Sequence, residues 1–480
     1  MNHMGMRSIT LLALTAGTAM AHEPQADTAG QNIDNGALTK VHGCWQGDHG
    51  TLEGGVFYLP TDEDALQVIE AVELANRGVP DNRVDFVIVG DGYTASEQAQ
   101  FHTDATSIQN NFFRYEPFIT YESYFRWTQV EVISNESGVD NDPDQGINRD
   151  TALDMSYWCS GTERLLCVSV SKAYQAAASA PDIDQVIAIS NSSKYGGAGY
   201  PSNNLGTAAG QNGSAVEIAI HEMGHSLGDL ADEYTYGGPT TYSGNEPSAR
   251  NSSTFDRQTQ LDNQTKWWRW MDEFISGFDG TVSTYEGSSY SQLGVYRPSN
   301  NSMMRSLNRP FNLPSAERLI HQIYREVNPI DDGTADGSVL TASDVAWVQP
   351  MQPNGHDLDV VWYLNGNIII SAIGQTQLDL STLSLDSGTN EIKVEVTDPT
   401  PWVREETIRN NFLTESRTFT VEACVASADF NGDGLLDFFD VSAFLSAYNA
   451  QDESADFNGD GEFNFFDVSG FLTSFNEGGC

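Results

Sequence analysis

The sequence predicts a multidomain protein in which an α/β domain is followed by a β-sandwich and then by a small helical module. Its 480 residues exceed what a single hydrophobic core usually serves. Strand patterns alternate with helical patterns from Val84 to Val327, which is typical of a layered α/β domain. Short alternating runs follow an Asp/Gly-rich linker, and the C-terminal part contains an internal repeat.

The first 21 residues have the pattern of a secretory signal peptide. One arginine precedes a short apolar stretch, and Ala19-Met20-Ala21 fits the small-x-small cleavage rule. A membrane anchor needs roughly 20 apolar residues, and the sequence supplies no such span. We therefore expect a secreted protein, extracellular or attached to a cell surface. Residues 22–81 form either an N-terminal segment or a pro-region.

The charge balance is strongly acidic. Sixty-seven acidic residues oppose 23 basic ones, which gives a formal net charge of -44. Nucleic acid and anionic membranes are therefore poor partners. Calcium sites that use carboxylates, or an acidic surface suited to salty surroundings, would each explain the excess.

Five cysteines in a secreted chain favour disulfides over structural zinc, because the sequence has no Cys-x-x-Cys pair. Their spacing suggests that Cys159 pairs with Cys167 and that Cys424 pairs with Cys480. Cys44 is left over. It is either an unpaired or dimer-forming thiol, or a thiol that occupies a metal and keeps an enzyme latent.

Apolar periodicity predicts the main elements of the first two domains. The run VDFVIVGDGY begins with a compact strand, Val84–Val89, that stops at a Gly-Asp-Gly turn. Further strands are predicted at Trp127–Ile133, Leu165–Val170 and Val186–Ser190, and helices at Asp64–Asn76, Ser96–Phe113, Ser214–Leu227 and from Ser315 to near Val327. Runs in the sandwich, of immunoglobulin-like type, are Asp359–Tyr363, Ile368–Ala372 and Glu391–Val396.

The predicted helix at Ser214–Leu227 carries a metal-binding pattern. His221 and His225 are four residues apart, so both imidazoles lie on one helix face and can converge on one zinc ion. Glu222 projects from the neighbouring face, beside the open coordination position. Zinc lowers the pKa of a bound water to about 7, and Glu222 can take its proton as general base.

Residues after this helix extend the pattern but leave the third ligand open. Gly228 is expected to break the helix with a left-handed residue. Catalytic zinc usually has three protein ligands. The longer motif His-Glu-x-x-His-x-x-Gly-x-x-His would place the third ligand at position 231. This chain has Ala231 there, so Asp232 is the nearest group able to coordinate and Glu233 is the alternative. The other histidines of the mature chain lack ligand-like spacing: His22, His42, His49, His102, His321 and His356.

Five segments, in order, resemble the IgA-peptidase family of metzincin-like zinc metallopeptidases: VDFVIVGDGYT, ESGVDND, KYGGAGY, HEMGHSLGDLADEY and NSMMRSLNRPF. The resemblance covers about Val84 to Val327. It implies a zinc metalloendopeptidase in which His221, His225 and Asp232 hold zinc, Glu222 is the general base and Met304 is the turn methionine. Family members often have cysteines around this turn, whereas this chain has Ser302 and Asn312. Tyr234 is more suited to packing than to oxyanion stabilisation.

The C-terminal repeat has the spacing of two calcium loops. DFNGDGLLDFFDVSAFLSAYN and DFNGDGEFNFFDVSGFLTSFN match at 14 of 21 positions, 27 residues apart. Oxygen-bearing side chains occupy positions 1, 3, 5, 9 and 12, with glycine (Gly434, Gly461) at position 6. A helix follows each loop and none precedes it, so the pair resembles a dockerin type I module. The predicted ligands are Asp429, Asn431, Asp433, Asp437 and Asp440 for the first Ca²⁺, and Asp456, Asn458, Asp460, Asn464 and Asp467 for the second.

The predicted fold class is therefore multidomain: an α/β metzincin-like zinc peptidase domain at 82–328, an immunoglobulin-like β-sandwich at 329–423 and a small α calcium-binding dockerin-like module at 424–480. The predicted function is hydrolysis of protein or peptide substrates with one catalytic Zn²⁺ and two structural Ca²⁺. A cohesin-like or cell-surface partner is expected for the last module. The alternative is a catalytically inactive peptidase fold that acts as a calcium-dependent binding or scaffold component.

Overall fold

The computed structural model describes residues 38–46, 52–60, 68–75, 82–235, 240–386, 388–423, 427–433 and 435–476. The predicted signal peptide, the side chain of Cys44, and Cys424, Gly434 and Cys480 lie outside these residues. Among the helices of the described residues, none is both long and apolar enough to cross a membrane.

An eight-stranded mixed sheet forms the centre of the N-terminal domain, in the order β2-β1-β7-β8-β6-β4-β5-β3. The four central strands from β8 to β5 are parallel, and antiparallel strands extend the sheet on both sides. The strands are β1 Leu38–Gln46, β2 Leu52–Pro60, β3 Val68–Ala75, β4 Val84–Asp91, β5 Phe125–Val132, β6 Gln185–Ser190, β7 Gly197–Tyr200 and β8 Leu205–Ala209.

Helices cover both faces of this sheet, which explains why its central strands are apolar throughout. Side chains of β4 alternate between the faces: Phe86 and Ile88 join one buried cluster, and Val87 and Val89 join the other. The first cluster includes helices α1 (Gln98–Phe112) and α3 (Ala215–Ser226), and the second includes α2 (Val170–Ala177).

Most of the predicted elements of this domain are present, but two predictions are wrong. Val68–Ala75, within the predicted helix, forms strand β3. Its pairing with β5 and the β-branched residues in its sequence outweigh the helical spacing of its apolar residues. The predicted strand at Leu165–Val170 is also absent from the described residues. Ser169 there accepts a hydrogen bond from the amide of Lys172 and begins helix α2. The predicted disulfide between Cys159 and Cys167 is confirmed.

The rest of the N-terminal domain follows α3 and packs against it. Helix α4 (Arg257–Asn263) precedes a two-stranded hairpin, β9 (Tyr285–Ser288) and β10 (Ser291–Arg297). Helix α5 (Leu313–Glu326) then buries an apolar face in the same cluster as α3.

Two sheets lie after helix α5. Their first strand, Ile330–Gly333, forms within the Asp/Gly-rich segment that was predicted to be a linker, because it pairs with Val345–Pro350. Alternate residues of their strands are buried, including Val348, Trp362, Val394 and Phe419. The predicted run Ile368–Ala372 is a strand only at its first residue and then turns into a single 3₁₀ turn. One sheet contains β11 Ile330–Gly333, β13 Val345–Pro350 and β16 Gln377–Asp379, and the other β12 Val339–Thr341, β14 Asp359–Leu364, β15 Asn367–Ile368, β17 Gly388–Thr397 and β18 Thr414–Ala423. Helix α6 (Glu406–Phe412) lies between β17 and β18.

The C-terminal repeats form a pair of helices, α7 (Phe438–Ala450) and α8 (Phe465–Asn476). Phe444 and Phe471 occupy equivalent positions in the two repeats. Their rings stack with centroids 4.1 Å apart and planes 2° from parallel. Each repeat thus contributes the same side chain to one small shared core.

A buried polar cluster joins the N-terminal domain to the region of the two sheets. Asp398 accepts hydrogen bonds from the hydroxyls of Tyr121 (2.7 Å) and Tyr324 (2.8 Å). His356 Nε2 lies 2.8 Å from the other oxygen of Asp398. That hydrogen bond raises the pKa of His356 above its usual 6.5, against the effect of burial. Burial alone would raise the pKa of Asp398, but hydrogen bonds from His356 and Tyr121 hold it below 3.8.

We predict that His356→Ala lowers the free energy of unfolding in a pH-dependent way. The raised pKa of His356 stabilises the folded state fully below pH 6.5, and the lowered pKa of Asp398 does so above pH 3.8. The loss, about 1 kcal/mol, should therefore be largest near pH 5 and shrink as the pH rises through the raised pKa. Urea unfolding of both proteins at pH 5 and pH 8.5 measures it, and an equal loss at both pH values would contradict the prediction.

Candidate metal centre

Helix α3 places three chemistry-bearing side chains in the interior. His221, Glu222 and His225 are all essentially inaccessible to solvent. The chain leaves the helix after Ser226, and the first left-handed residue is Asp229 (φ 51°), not Gly228 as predicted. Gly228 is required for space instead, because a Cβ there would lie 2.6 Å from the carbonyl oxygen of Gly224.

Three acceptor atoms meet at the end of this turn. His221 Nε2, His225 Nε2 and Asp232 Oδ1 form a triangle in which every side measures 3.2 Å. Nitrogen or oxygen ligands at about 2.0–2.1 Å from a tetrahedral zinc lie roughly 3.3 Å from one another. The donor set and its spacing therefore fit one zinc ion.

Backbone carbonyls fix the orientation of both imidazoles. Nδ1 of His221 lies 2.9 Å from the carbonyl oxygen of Met303, and Nδ1 of His225 lies 2.7 Å from that of Leu230. If each Nδ1 carries the proton and donates it to its carbonyl, both Nε2 atoms present lone pairs to the centre. Two lone pairs and a carboxylate oxygen then face one another with no proton between them, an arrangement that a cation stabilises.

The tip of the β9–β10 hairpin holds Asp232 in place. Its backbone carbonyl accepts hydrogen bonds from the amide of Ser289 (2.9 Å) and the hydroxyl of Ser288 (3.2 Å), and Oδ2 accepts one from the hydroxyl of Tyr290. Ser289 (φ 46°) and Tyr290 (φ 65°) are left-handed, which is costly for such residues and typical of functional sites. Burial would raise the pKa of Asp232, but His225, His221 and His42 hold it well below 3.8, so the carboxylate is anionic.

Glu222 lies against the glycines of β7. A Cβ on Gly199 would stand 2.5 Å from Glu222 Oε2, and a Cβ on Gly197 would stand 3.8 Å from Oε1. Because these two residues of the KYGGAGY segment are glycines, no side chain occupies the space that the carboxylate approaches. No larger residue fits at position 199 without displacing Glu222.

Glu233, the alternative third ligand, points into a separate buried network. Its Oε1 accepts hydrogen bonds from Asn251 (2.9 Å) and Asn312 (2.8 Å), and its Oε2 accepts one from Ser302 (2.7 Å). Burial raises its pKa, although these hydrogen bonds oppose the rise. Ser302 and Asn312 therefore hold the loop together through a shared carboxylate.

Met304 lies directly beneath helix α3. It is fully buried, and a Cβ on Gly224 would collide with its sulfur atom. Its carbonyl oxygen accepts a hydrogen bond of 2.7 Å from the amide of Glu233. Met303 and Met304 thus support one imidazole and the chain after Asp232 at the same time.

His42 is a residue of the centre that the sequence prediction missed. Its ring stacks on His225 with centroids 4.6 Å apart, and its Nδ1 lies 3.6 Å from Asp232 Oδ2. Ligand atoms of His42, His225 and Asp232 all lie within 4.8 Å of one another. Burial, with the nearby His225, lowers the pKa of His42 to about 4, so the ring is neutral at pH 7. No spacing rule reveals it, because only the pairing of β1 with β7 brings it here.

Other predicted residues lie outside the centre. The Tyr234 hydroxyl is 3.5 Å from the carbonyl of Gly43 and its ring packs on Tyr290, in agreement with a packing role. His102 contacts Gln129 and Glu131, and His321 packs on Phe412.

The two predicted calcium loops share one pattern of hydrogen bonds. The Nδ2 of Asn431 donates to Asp433, and that of Asn458 donates to Asp460, each at 3.0 Å. Asp440 and Asp467 at position 12 each accept from two backbone amides of their own loop. Within the described residues, these loops contain no three acidic side chains whose oxygens all lie within 4.8 Å.

His221, His225 and Asp232 thus form a possible metal site, with donor atoms of the types that zinc takes in hydrolases. Residues 72–278 match the family model described as IgA Peptidase M64. This match supports the IgA-peptidase family and indicates a peptidase of the metallopeptidase class. It includes His221, Glu222, His225 and Asp232, but neither Met304 nor the β1–β2 hairpin. No curated protein matches the chain.

We predict that Asn312→Ala destabilises the metal-free protein by about 2–3 kcal/mol. Asn312 donates to the buried Glu233 and also caps α5, accepting a hydrogen bond from the amide of Ser315 at 3.1 Å. Urea unfolding in the presence of a chelator measures the loss. Asn110→Ala, an exposed residue of α1, is the control. A loss no larger than that of the control would show that the Glu233 network does not hold the loop.

Proposed function

We propose that the protein is a secreted zinc-dependent endopeptidase. The observation that carries the proposal is the triangle of His221 Nε2, His225 Nε2 and Asp232 Oδ1, three atoms 3.2 Å apart whose spacing fits one metal ion between them. Glu222 on the same helix and the match to the IgA Peptidase M64 family model support peptide-bond hydrolysis as the reaction.

His221, His225 and Asp232 would hold the zinc ion. Zinc bound there would supply Lewis-acid polarisation and lower the pKa of a water molecule to about 7. Glu222 would take the proton from that water as it attacks the peptide carbonyl carbon, and would pass it to the leaving amine nitrogen. Gly199 contributes by leaving room for the carboxylate, and Tyr290 by fixing the outer oxygen of Asp232.

Glu222→Gln should abolish hydrolysis and leave metal binding intact. Glutamine has nearly the same shape but cannot accept the proton, and loss of a general base lowers rates by at least about 100-fold. Zinc content and the cleavage of an unfolded, fluorescently labelled protein are measured on the chain from residue 22. Glu326→Gln, an exposed residue at the end of α5, serves as the matched control.

The same experiment separates the enzyme from the alternative of an inactive binding protein. If the unaltered chain binds one zinc ion and cleaves no substrate, even after removal of the segment before Asp81, the peptidase proposal fails and the binding role takes its place. If Glu222→Gln cleaves as fast as the unaltered chain, another group is the general base.

We also propose that the C-terminal repeats bind two calcium ions and attach the enzyme to a partner or to a surface. Support comes from the oxygen ligands at positions 1, 3, 5, 9 and 12 of both loops. Apolar side chains also remain exposed at the start of each helix: Phe438 (75%), Phe439 (66%), Phe465 (74%) and Phe466 (67%). Exposed aromatic pairs of this kind mark interaction sites.

Calorimetric titration of the full chain with Ca²⁺ tests the metal part of this proposal. Two ions should bind, and Asp433→Asn with Asp460→Asn, both at position 5, should weaken binding about tenfold or more by removing two ligand charges. Asp452→Asn, which lies between the loops and caps a short turn, is the control. Absence of calcium binding by the unaltered chain would contradict the proposal.

A further inference from the structure

Strand β1 lies beside the metal centre, at the side of β7. It pairs antiparallel with β7, with His42 opposite Gly199. Strand β2 in turn pairs with β1 along its whole length, so the hairpin formed by β1 and β2 is the outer end of the sheet. Without this hairpin, β7 would be the edge strand.

The face of β7 that carries Gly199 is the face of the reaction centre. A Cβ on Gly199 would point to Glu222 Oε2 at 2.5 Å and to the Cβ of His225 at 3.6 Å. Directly opposed residues of paired strands project from the same face of a sheet. His42 therefore reaches the centre from the neighbouring strand, and its ring stacks on His225.

An extended peptide adds to an open sheet edge through backbone hydrogen bonds, and its alternate side chains enter pockets on one face. Strand β1 already has this position relative to β7, with His42 facing the proposed general base and the metal ligands. The preceding residue, Val41, faces the other way and is fully buried in the second apolar cluster. The hairpin is thus held by packing on one face and by the metal centre on the other.

We propose that strand β1, paired with β2, occupies the place of an extended peptide substrate along β7, and that His42 closes the metal centre of the full chain. This inference rests on the proposed peptidase function. The hairpin lies outside the segment 72–278 that matches the peptidase family model. A substrate reaches the centre when the hairpin leaves β7, and it binds there as a strand.

The consequence is a latent enzyme whose activity depends on the fraction of molecules with the hairpin displaced. A hairpin bound about 90% of the time lowers the apparent activity about tenfold. Removal of the imidazole of His42 takes away the stacking on His225 and the contact with Asp232, and shifts this fraction.

The test compares the full chain from residue 22 with His42→Ala and with Val41→Asp, which places a charge in the apolar cluster and detaches β1. His102→Ala is the control, because His102 contacts Gln129, Glu131 and the ring of Phe101, none of which belongs to the metal centre. Two quantities are measured: hydrolysis of an unfolded, labelled protein by the zinc form, and the visible absorption spectrum of the form loaded with Co²⁺. Circular dichroism confirms that each variant is folded.

We expect His42→Ala to hydrolyse the substrate about tenfold faster than the unaltered chain and to change the Co²⁺ spectrum. Val41→Asp should reach the same rate. His102→Ala should keep the rate and the spectrum of the unaltered chain. Folded His42→Ala and Val41→Asp variants that hydrolyse no faster than the unaltered chain would overturn the inference. If no variant hydrolyses, the peptidase proposal fails. The Co²⁺ spectrum then tests only whether His42 lies at the metal centre. A spectrum of His42→Ala equal to that of the unaltered chain would show that it does not.

Discussion

The convergence of three acceptor atoms constrains much of this structure. Two imidazole nitrogens and a carboxylate oxygen at 3.2 Å from one another repel when neither a proton nor a metal ion lies between them. Carbonyls from Met303 and Leu230, the β9–β10 tip and the Glu233 network all hold these atoms in place against that repulsion. These contacts come from four separate parts of the chain, so much of the N-terminal domain contributes to the position of the three acceptor atoms.

Sequence periodicity predicted the elements that local pattern determines. Helix α3 with His221, Glu222 and His225 was predictable because both histidines lie within one helical turn, where spacing fixes their geometry. Strand β3 was mistaken for a helix because its partner β5 lies far away in the chain. Asp232 and Glu233 could not be separated from the sequence, since a turn with a left-handed Asp229 decides which carboxylate faces the histidines.

The site residues that the sequence did not predict reach the site through pairings between distant segments of the chain. His42 reaches it through a strand pairing, and Tyr290 through a hairpin tip with a left-handed backbone. Neither has a spacing relative to helix α3 that could identify it. Three further points remain predictions: the domain boundaries, the immunoglobulin-like type of the sandwich and the calcium ligands. The contacts of the described residues do not decide them, because they depend on similarity to other proteins or on bound ions.

The loop beneath the metal helix is held by Glu233, Ser302 and Asn312 rather than by cysteines. Hydrogen bonds of this kind do not respond to thiols, whereas a disulfide is broken by reduction. The one disulfide among the described residues, between Cys159 and Cys167, lies outside this loop. The hydrogen bonds that hold the loop beneath helix α3 are therefore insensitive to the redox state of the surroundings. They can form before any oxidising step takes place.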